Sequence, residues 1–573
     1  MARSVTLTGT ALTAALALAV AGCSSGPDDS AAGTDIATAP RDSVRDGGTL
    51  RWAVDSVPAT LNAFQAAADD TTALVTGAVL PVLFRLDGRG RPQRDADYLE
   101  SAEVVDTAPK QVVTYRLNPK ARWSDGRAVT AADFTAQWKA LSGRDDAYWT
   151  ARNAGYDRIA SVRPGKDARE VRVTFARPYA DWQSLFSPLY PASVTGTATA
   201  FNEGARYNLP ASAGPFSVGV VSARAGTVTL VRNRSWWGDR AKLDALVLAA
   251  VPRAKRPAAL AAGTLDMAAF EPASYAALRK QEKAKKLVLR KTAEAAYSQL
   301  ALNGASGALV DERVRHAVAR AIDRQAIADA VLKPLGLPAK PLGNHLLLAS
   351  QEGYADHSSA LGSVSASSAQ ALLADAGWKP AKMQPAGEGA NAAGPALHSV
   401  RTGKLLTLRF LLPESSRTLD RVGARIARML ARIGVRTEIT RVADDSFFRD
   451  HVASGDFDLA LYSWPGTAYP ATDDHPIFAK PEPAADGTLT VKQNYTRVGT
   501  DRIDQLLDQA AAELDPSAAR DLTARADARI WAAAASIPLY QRPQLVALRP
   551  SVANAGAFGF ATPRYQDIGF RKQ

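Results

Sequence analysis

The amino-acid sequence predicts an α/β fold built from more than one folded unit. Three observations predict it. The chain has 573 residues, and domains average roughly 150 residues, so one core is not enough. Residues 405–464 carry a strand–helix–strand–helix–strand pattern. Earlier in the chain, short stretches alternate apolar and polar residues as half-buried strands do. With 46% hydrophobic and 22% charged residues, wholesale disorder and collagen-like repeats are excluded. A single cysteine excludes a disulfide framework and Cys-rich metal centres. The formal charge of +12 is spread along the length without a long basic run, so a soluble surface with a basic bias is expected, not nucleic-acid binding.

The first 30 residues set the compartment. Arg3 is followed by no charge until Asp28, and Ala11–Val20 is largely apolar. That stretch is too short to span a bilayer but suits the core of a signal peptide. It ends in Val20-Ala21-Gly22-Cys23, which resembles a bacterial lipobox. A buried core cysteine is the alternative, yet Cys23 stands between a signal core and polar Ser24–Ser30, where there is no core to join. A signal peptide over 1–22 and a lipidated Cys23 follow as expectations, with a flexible tether over 23–46. Acyl chains contribute about 0.8 kcal/mol per buried CH2, so two or three hold a protein firmly on a membrane.

In the mature chain, Leu50, Trp52 and Val54 alternate after Gly47-Gly48, and Val113, Tyr115 and Leu117 repeat the signal. So do Val171, Val173 and Phe175, and then Thr227–Val231. Thr130 with Asp133 forms a near capping box ahead of Phe134, Trp138 and Leu141, which predicts a helix start. Asp311 caps a helix whose apolar residues Val314, Ala317, Val318, Ala321 and Ile322 fall on one face, and Asp323 caps the next. Residues 378–404 are Ala/Gly/Pro-rich without periodicity and read as a mobile loop.

The stretch 405–464 is the clearest. Leu405–Leu412 is an apolar run suited to a strand covered on both faces. A helix follows with Val422, Ile426, Met429, Leu430 and Ile433 on one stripe and four arginines opposite, stopped at Gly434. Val435–Ile439 and Phe457–Trp464 are the next strands, so all three should be parallel. Ligands of such sheets bind beyond the carboxyl ends of the strands. That places Glu414-Ser415 and Trp464-Pro465-Gly466-Thr467 at a crevice rim, with simple packing as the alternative for Trp464.

Catalytic signatures are missing: no G-x-S-x-G, H-E-x-x-H or Walker loop occurs, and the six histidines are isolated in sequence. Asp473-Asp474-His475 is the one tight polar cluster, open to reading as a cation or amine site or as a solvated loop. A binder without cofactor or metal is expected, not an enzyme.

Five blocks then carry a resemblance. Gly47–Asp55 with Thr60-Leu61-Asn62, Leu83–Asp87, Arg122–Asp133 with Trp138, Gly214–Phe216 with Leu230–Gly238, and Arg313–Arg324 run in order along nearly the whole mature chain. Together they resemble the extracellular solute-binding proteins of the peptide/nickel class, family 5, of ABC importers. The lipobox, with Tyr156, Phe175–Tyr179 and Trp182, is similar to an actinobacterial lipoprotein branch linked to mannosylated phosphatidylinositol lipids.

The resemblance implies a two-lobed clamp of the class II periplasmic-binding-protein type, with a third subdomain inserted in lobe I. Lobe I would be 47–90, 180–295 and 540–573, the insert 91–179 and lobe II 296–539. It further implies a monomer outside the membrane that takes up an oligopeptide or other small solute and passes it to an ABC permease and ATPase. The alternatives are a non-peptide solute or glycolipid headgroup in the same fold, and an exported hydrolase or structural envelope lipoprotein. Site candidates are Trp464, Thr467 and Tyr469 on lobe II and Asp55, Leu61 and Asn62 on lobe I. One departure stands out: peptide binders of the family often carry an Asp three residues after the aromatic strand end, and here that position is Thr467. Either Asp473, Asp474 or Asp55 substitutes as partner for a ligand amine, or the ligand has none.

Overall fold

The computed structural model describes residues 33–380, 395–484 and 489–572. The expected signal peptide, Cys23 and the central part of the 378–404 loop lie outside the described residues.

Local signals act where the sequence places them. Thr130 and Asp133 close a complete capping box on the helix Ala131–Leu141, satisfying two backbone donors that a helix start leaves without partners. Asp311 accepts from the Arg313 amide and Asp323 from the Ala326 amide, which starts helices Glu312–Ala321 and Arg324–Leu332 as their spacing predicts.

The elements that position the site are labelled in chain order: β1 (Thr49–Val54), β2 (Phe216–Ser222), β3 (Thr227–Arg232), β4 (Ala245–Ala250), β5 (Met267–Phe270), α1 (Tyr275–Lys283), β6 (Val288–Leu302), α2 (Arg324–Leu332), β7 (Thr407–Pro413), α3 (Arg417–Arg432), β8 (Arg436–Val442), β9 (Leu459–Pro465), α4 (Asp501–Ala512), α5 (Pro516–Ala533) and β10 (Ser536–Leu548). The ten strands form one sheet in the order β2-β3-β4-β1-β5-β10-β6-β9-β7-β8. The β7, β8 and β9 strands are parallel to one another, with β7 between the other two, and β9 pairs antiparallel with β6 on its other side. This is the topology expected of 405–464. The α3 helix buries Val422, Ile426 and Leu430 against it.

Two long antiparallel strands, β6 and β10, join the halves of the sheet. Their register breaks between Ala293 and Tyr297, opposite Gln541–Pro543. Proline cannot donate to the ladder, and a bulge bends and twists a strand. This is where the two lobes meet. Each has its own core. One gathers Leu50, Trp52, Trp123, Phe134 and Phe216, the other Leu300, Val318, Phe410, Ile426 and Trp531. Residues 99–175 contribute a separate four-stranded antiparallel sheet packed into the first core. The fold is a two-lobed α/β clamp.

Two sequence expectations need correcting. A flexible tether does not run to residue 46. Asp35–Ile36 pairs with Gly556–Ala557, Val44–Arg45 pairs with the C-terminal strand, and Ala39, Val44 and Ala553 bury one another. Composition suggested a linker, but the edge of the first lobe offered unpaired backbone groups that residues 35–45 satisfy. The loop expected over 378–404 begins and ends in order, with Trp378–Pro380 paired to Leu397–Ser399.

Candidate functional site

The site lies past the carboxyl end of β9. Register brings Trp464 opposite Tyr297 on the long strand β6, and the Gly466 amide donates to the Ala295 carbonyl at 2.8 Å. The chain thus turns out of the sheet beside the register break. Trp464 stacks on Tyr495 with ring centroids 5.8 Å apart and 13° between planes, and Tyr462 meets it edge-on at 5.7 Å. Its indole nitrogen is buried with no hydrogen-bond partner among the described residues.

Thr467 follows. Its hydroxyl donates to Asp473 and accepts from the Tyr469 amide at 3.0 Å, while Gln351 donates to its carbonyl at 2.8 Å. The Gln351 loop is itself clamped. His345 and His357 both donate to buried Asp527, 182 and 170 residues further along the chain, through Nδ1 at 2.8 Å and 2.7 Å. Burial alone would raise the Asp527 carboxyl, but those bonds hold it below the ordinary carboxylate range. These two of the six histidines therefore do a structural task.

The short turn after Tyr469 holds the acids. Asp473 keeps open surface although protein surrounds it on nearly every side, as a side chain inside a cleft does. Burial raises its pKa, and the Thr467 bond offsets this only in part. Asp474 is buried, and its pKa rises well above normal through burial and the neighbouring Asp473. Among the described residues no donor reaches the Asp474 carboxyl. Across the cleft, Thr472 donates to Asp181 at 2.6 Å, and the Ala180 amide donates to Ala511 at 2.9 Å. Burial, with Asp473 adding to it, pushes Asp181 up to about 6, against the pull of the Thr472 bond and Arg158. Three carboxyls thus converge with little positive charge to balance them. A cation entering there would relieve an unfavourable field.

On the first lobe the outcome differs. Asp55 sits beyond β1, but Arg253 binds it at 2.7 Å and Arg256 binds its other oxygen. Burial would raise Asp55, and the two guanidiniums bring it below the usual range. Leu61 is 0% and Asn62 1% exposed. Asn62 donates to the Phe201 carbonyl at 2.9 Å and accepts from the Phe64 amide at 3.1 Å. The expectation that Leu61 and Asn62 face a ligand is corrected: both are internal, because their loop needs its own backbone groups satisfied. The structure brings Trp464, Thr467 and Tyr469 together and adds Asp473, Asp474, Thr472 and Asp181. The polar triplet 473–475 was visible in the sequence; Asp181, 291 residues from its partner Thr472, carried no signal.

Beside this rim a cavity of about 810 Å³ opens between residues 337–356 and the register break at Ala293 and Gln541–Pro543. Its wall shares Leu342 and Tyr354 with the apolar cluster against which Trp464 packs. That volume is within the range of small-molecule sites, about 300–1,000 Å³. Among the described residues no group of His, Cys, Asp or Glu is arranged to hold a metal ion, and no helix is long and apolar enough to cross a membrane.

Comparison with known proteins gives the geometry a context. Residues 99–482, more than half of the chain, match the family model described as bacterial extracellular solute-binding proteins, family 5 Middle. The oligopeptide-binding protein OppA of Mycobacterium bovis and of Mycobacterium tuberculosis is 35% identical over 536 residues, 92% of this chain and 86% of its own. The probable monoacyl phosphatidylinositol tetramannoside-binding protein LpqW of M. tuberculosis is 28% identical over 267 residues, 45% of this chain and 41% of its own. Among solved structures, the periplasmic EDTA-binding protein EppA superposes with a TM-score of 0.84 at 24% identity, covering 96% of this chain and 100% of its own.

Proposed function

The chain belongs to the bacterial extracellular solute-binding proteins, family 5, and we propose that it captures oligopeptides with a free amino terminus for import through an ABC permease. It is a solute-binding protein and not an enzyme. The observation that carries the peptide reading is the acidic cluster of Asp473, Asp474 and Asp181 beside Trp464. Where the family pattern leads one to expect an acid, Thr467 instead holds Asp473 by its hydroxyl. The ligand ammonium would meet Asp473, and Asp55, already bound to two arginines, is the weakest substitute of the three acids. The backbone past β9 would pair with the peptide main chain, giving affinity without side-chain choice, and Trp464 and Tyr469 would cover the first side chains. Similarity to an oligopeptide-binding protein over nine-tenths of the chain supports this reading.

The lobes close over the solute by bending at the register break between β6 and β10, and hinges of this kind need few residues. We take the anchor to be a lipid on Cys23, which mass spectrometry of the exported protein would detect.

Thermal shift with short peptides, free and N-acetylated, tests the ligand class. A ligand at a hundred times its dissociation constant adds about 2.7 kcal/mol. Free peptides should stabilise the protein and capped ones should not. Equal shifts from both would sink the amine anchor. A second reading, a glycolipid headgroup, has the similarity to LpqW over under half of the chain in its favour; a mannosylated headgroup that shifts the protein when no peptide does would establish it.

A further inference from the structure

A second cavity lies away from the acidic rim. It measures about 630 Å³ and opens where α1 of the first lobe approaches α2 and α3 of the second. Tyr275, Ala276, Val331, Leu335 and Val422 wall it, so its floor is apolar. Its rim is cationic. Arg421, Arg425 and Arg428 line it from α3, spaced by four and three residues on one helical face, with Arg279 facing them from α1.

Three like charges on one helix face repel one another unless counter-charge lies among them. Here none does. The neighbouring acids are paired with other arginines, Asp420 with Arg441 and Glu282 with Arg279, so Arg279 reaches the rim already compensated while the three guanidiniums of α3 do not. Among the described residues no carboxylate reaches Arg421, Arg425 or Arg428. Thr418, which lines the same cavity one turn earlier, has a buried hydroxyl oxygen with no hydrogen-bond partner among the described residues. The cluster is thus a cavity with an apolar floor, a row of uncompensated guanidiniums and an unmet polar atom.

We propose that this cavity is a second binding site, for an amphiphile carrying a phosphate headgroup. Guanidinium forks bind phosphate oxygens by paired hydrogen bonds. A row of three arginines suits an anion with oxygens on several sides better than one flat carboxylate. The apolar wall then takes the attached chain. Because α1 and α3 belong to different lobes, the ligand touches both and braces one against the other. The inference stands independently of what the acidic cleft binds.

Calorimetric titration of the mature chain with soluble dihexanoyl phosphatidic acid, dihexanoyl phosphatidylcholine and inorganic phosphate tests it. Phosphatidic acid should bind at least tenfold more tightly than either other probe, and more weakly as salt rises. The triple variant R421Q/R425Q/R428Q should lose at least tenfold, and A276W, which fills the apolar wall from an exposed helix position, should lose a similar factor. Both variants should keep the parent's far-UV circular dichroism spectrum and a cooperative urea unfolding transition, which shows that they fold. Equal binding of the choline and acid lipids, or binding untouched by the arginine changes, would overturn the proposal. Inorganic phosphate matching phosphatidic acid would overturn its amphiphile part and leave a bare anion site.

Discussion

The two rims of the cleft carry the same residue type and use it in opposite ways. On the first lobe, Asp55 is held by Arg253 and Arg256, and its carboxyl lies below the ordinary range. On the second, Asp473 and Asp474 face one another without a cation and lie above it. The difference is not in the acids but in what stands beside them. A carboxylate with two guanidiniums is part of the fold; one without is, in the proposed function, where a positive ligand goes. The adjoining motif on the first lobe, Thr60-Leu61-Asn62, follows the same division, because its groups are satisfied internally.

That contrast can be broken at four points. The largest effect belongs to the first lobe's interior. Leu61→Ala should cost about 3 kcal/mol of stability by leaving a cavity, read from urea unfolding, while the affinity of the folded fraction stays unchanged. Loss of affinity with stability intact would return Leu61 to the ligand.

Next comes the second rim. Asp473→Asn should weaken a free-amine peptide by roughly 10- to 100-fold, which is about 1.4–2.7 kcal/mol, and leave a capped peptide unaffected in calorimetry. Asp55→Asn should do the reverse. It strips Arg256, whose side chain is 3% exposed, of its carboxylate, and should cost about 1–2 kcal/mol of stability, since Arg256 keeps its carbonyl partners. Peptide affinity should move less than twofold. If Asp55→Asn abolishes binding instead, the two rims have been assigned the wrong way round.

The smallest effect is a pH dependence. Asp181 rises from 3.8 to about 6, chiefly through burial. A folded-state pKa above the unfolded one means that the contribution to stability is complete below about pH 4 and lost as pH climbs through 6. A cationic ligand reverses this, because it favours the ionised carboxyl. Peptide affinity should therefore rise a few-fold between pH 5 and pH 7, and Asp181→Asn should flatten that slope. Asp473, Arg158, Tyr179 and Tyr469 surround the group, and burial raises Asp473 as well, so the part of the slope that Asp181→Asn removes is the Asp181 share. A flat profile in the parent protein would remove Asp181 from the ligand's surroundings.

Legibility in the sequence follows the range of the interaction. The helix caps, the α3 stripe and the parallel strands of 405–464 were readable because helix caps act over three residues and side-chain periodicity repeats every two or 3.6. Trp464 was placed at a rim by the rule for strand ends. Leu61 and Asn62 were misjudged because motif position says nothing about which way a loop turns. The tether was read too long because composition does not register a pairing partner more than 500 residues away, as Ile36 has in Gly556.

Local chemistry along the chain determined the α/β alternation, the helix starts and the three-strand parallel unit, and the resemblance of five motif blocks pointed to the solute-binding family. Only the tertiary structure decided which acids are neutralised and which are not. Residues 55, 253 and 256 meet on one lobe and 181, 472 and 473 meet between two, through contacts that span from 198 to 291 positions. Electrostatic character depends on distance in space, and the folding of β6 against β10 is what turns distant positions into neighbours.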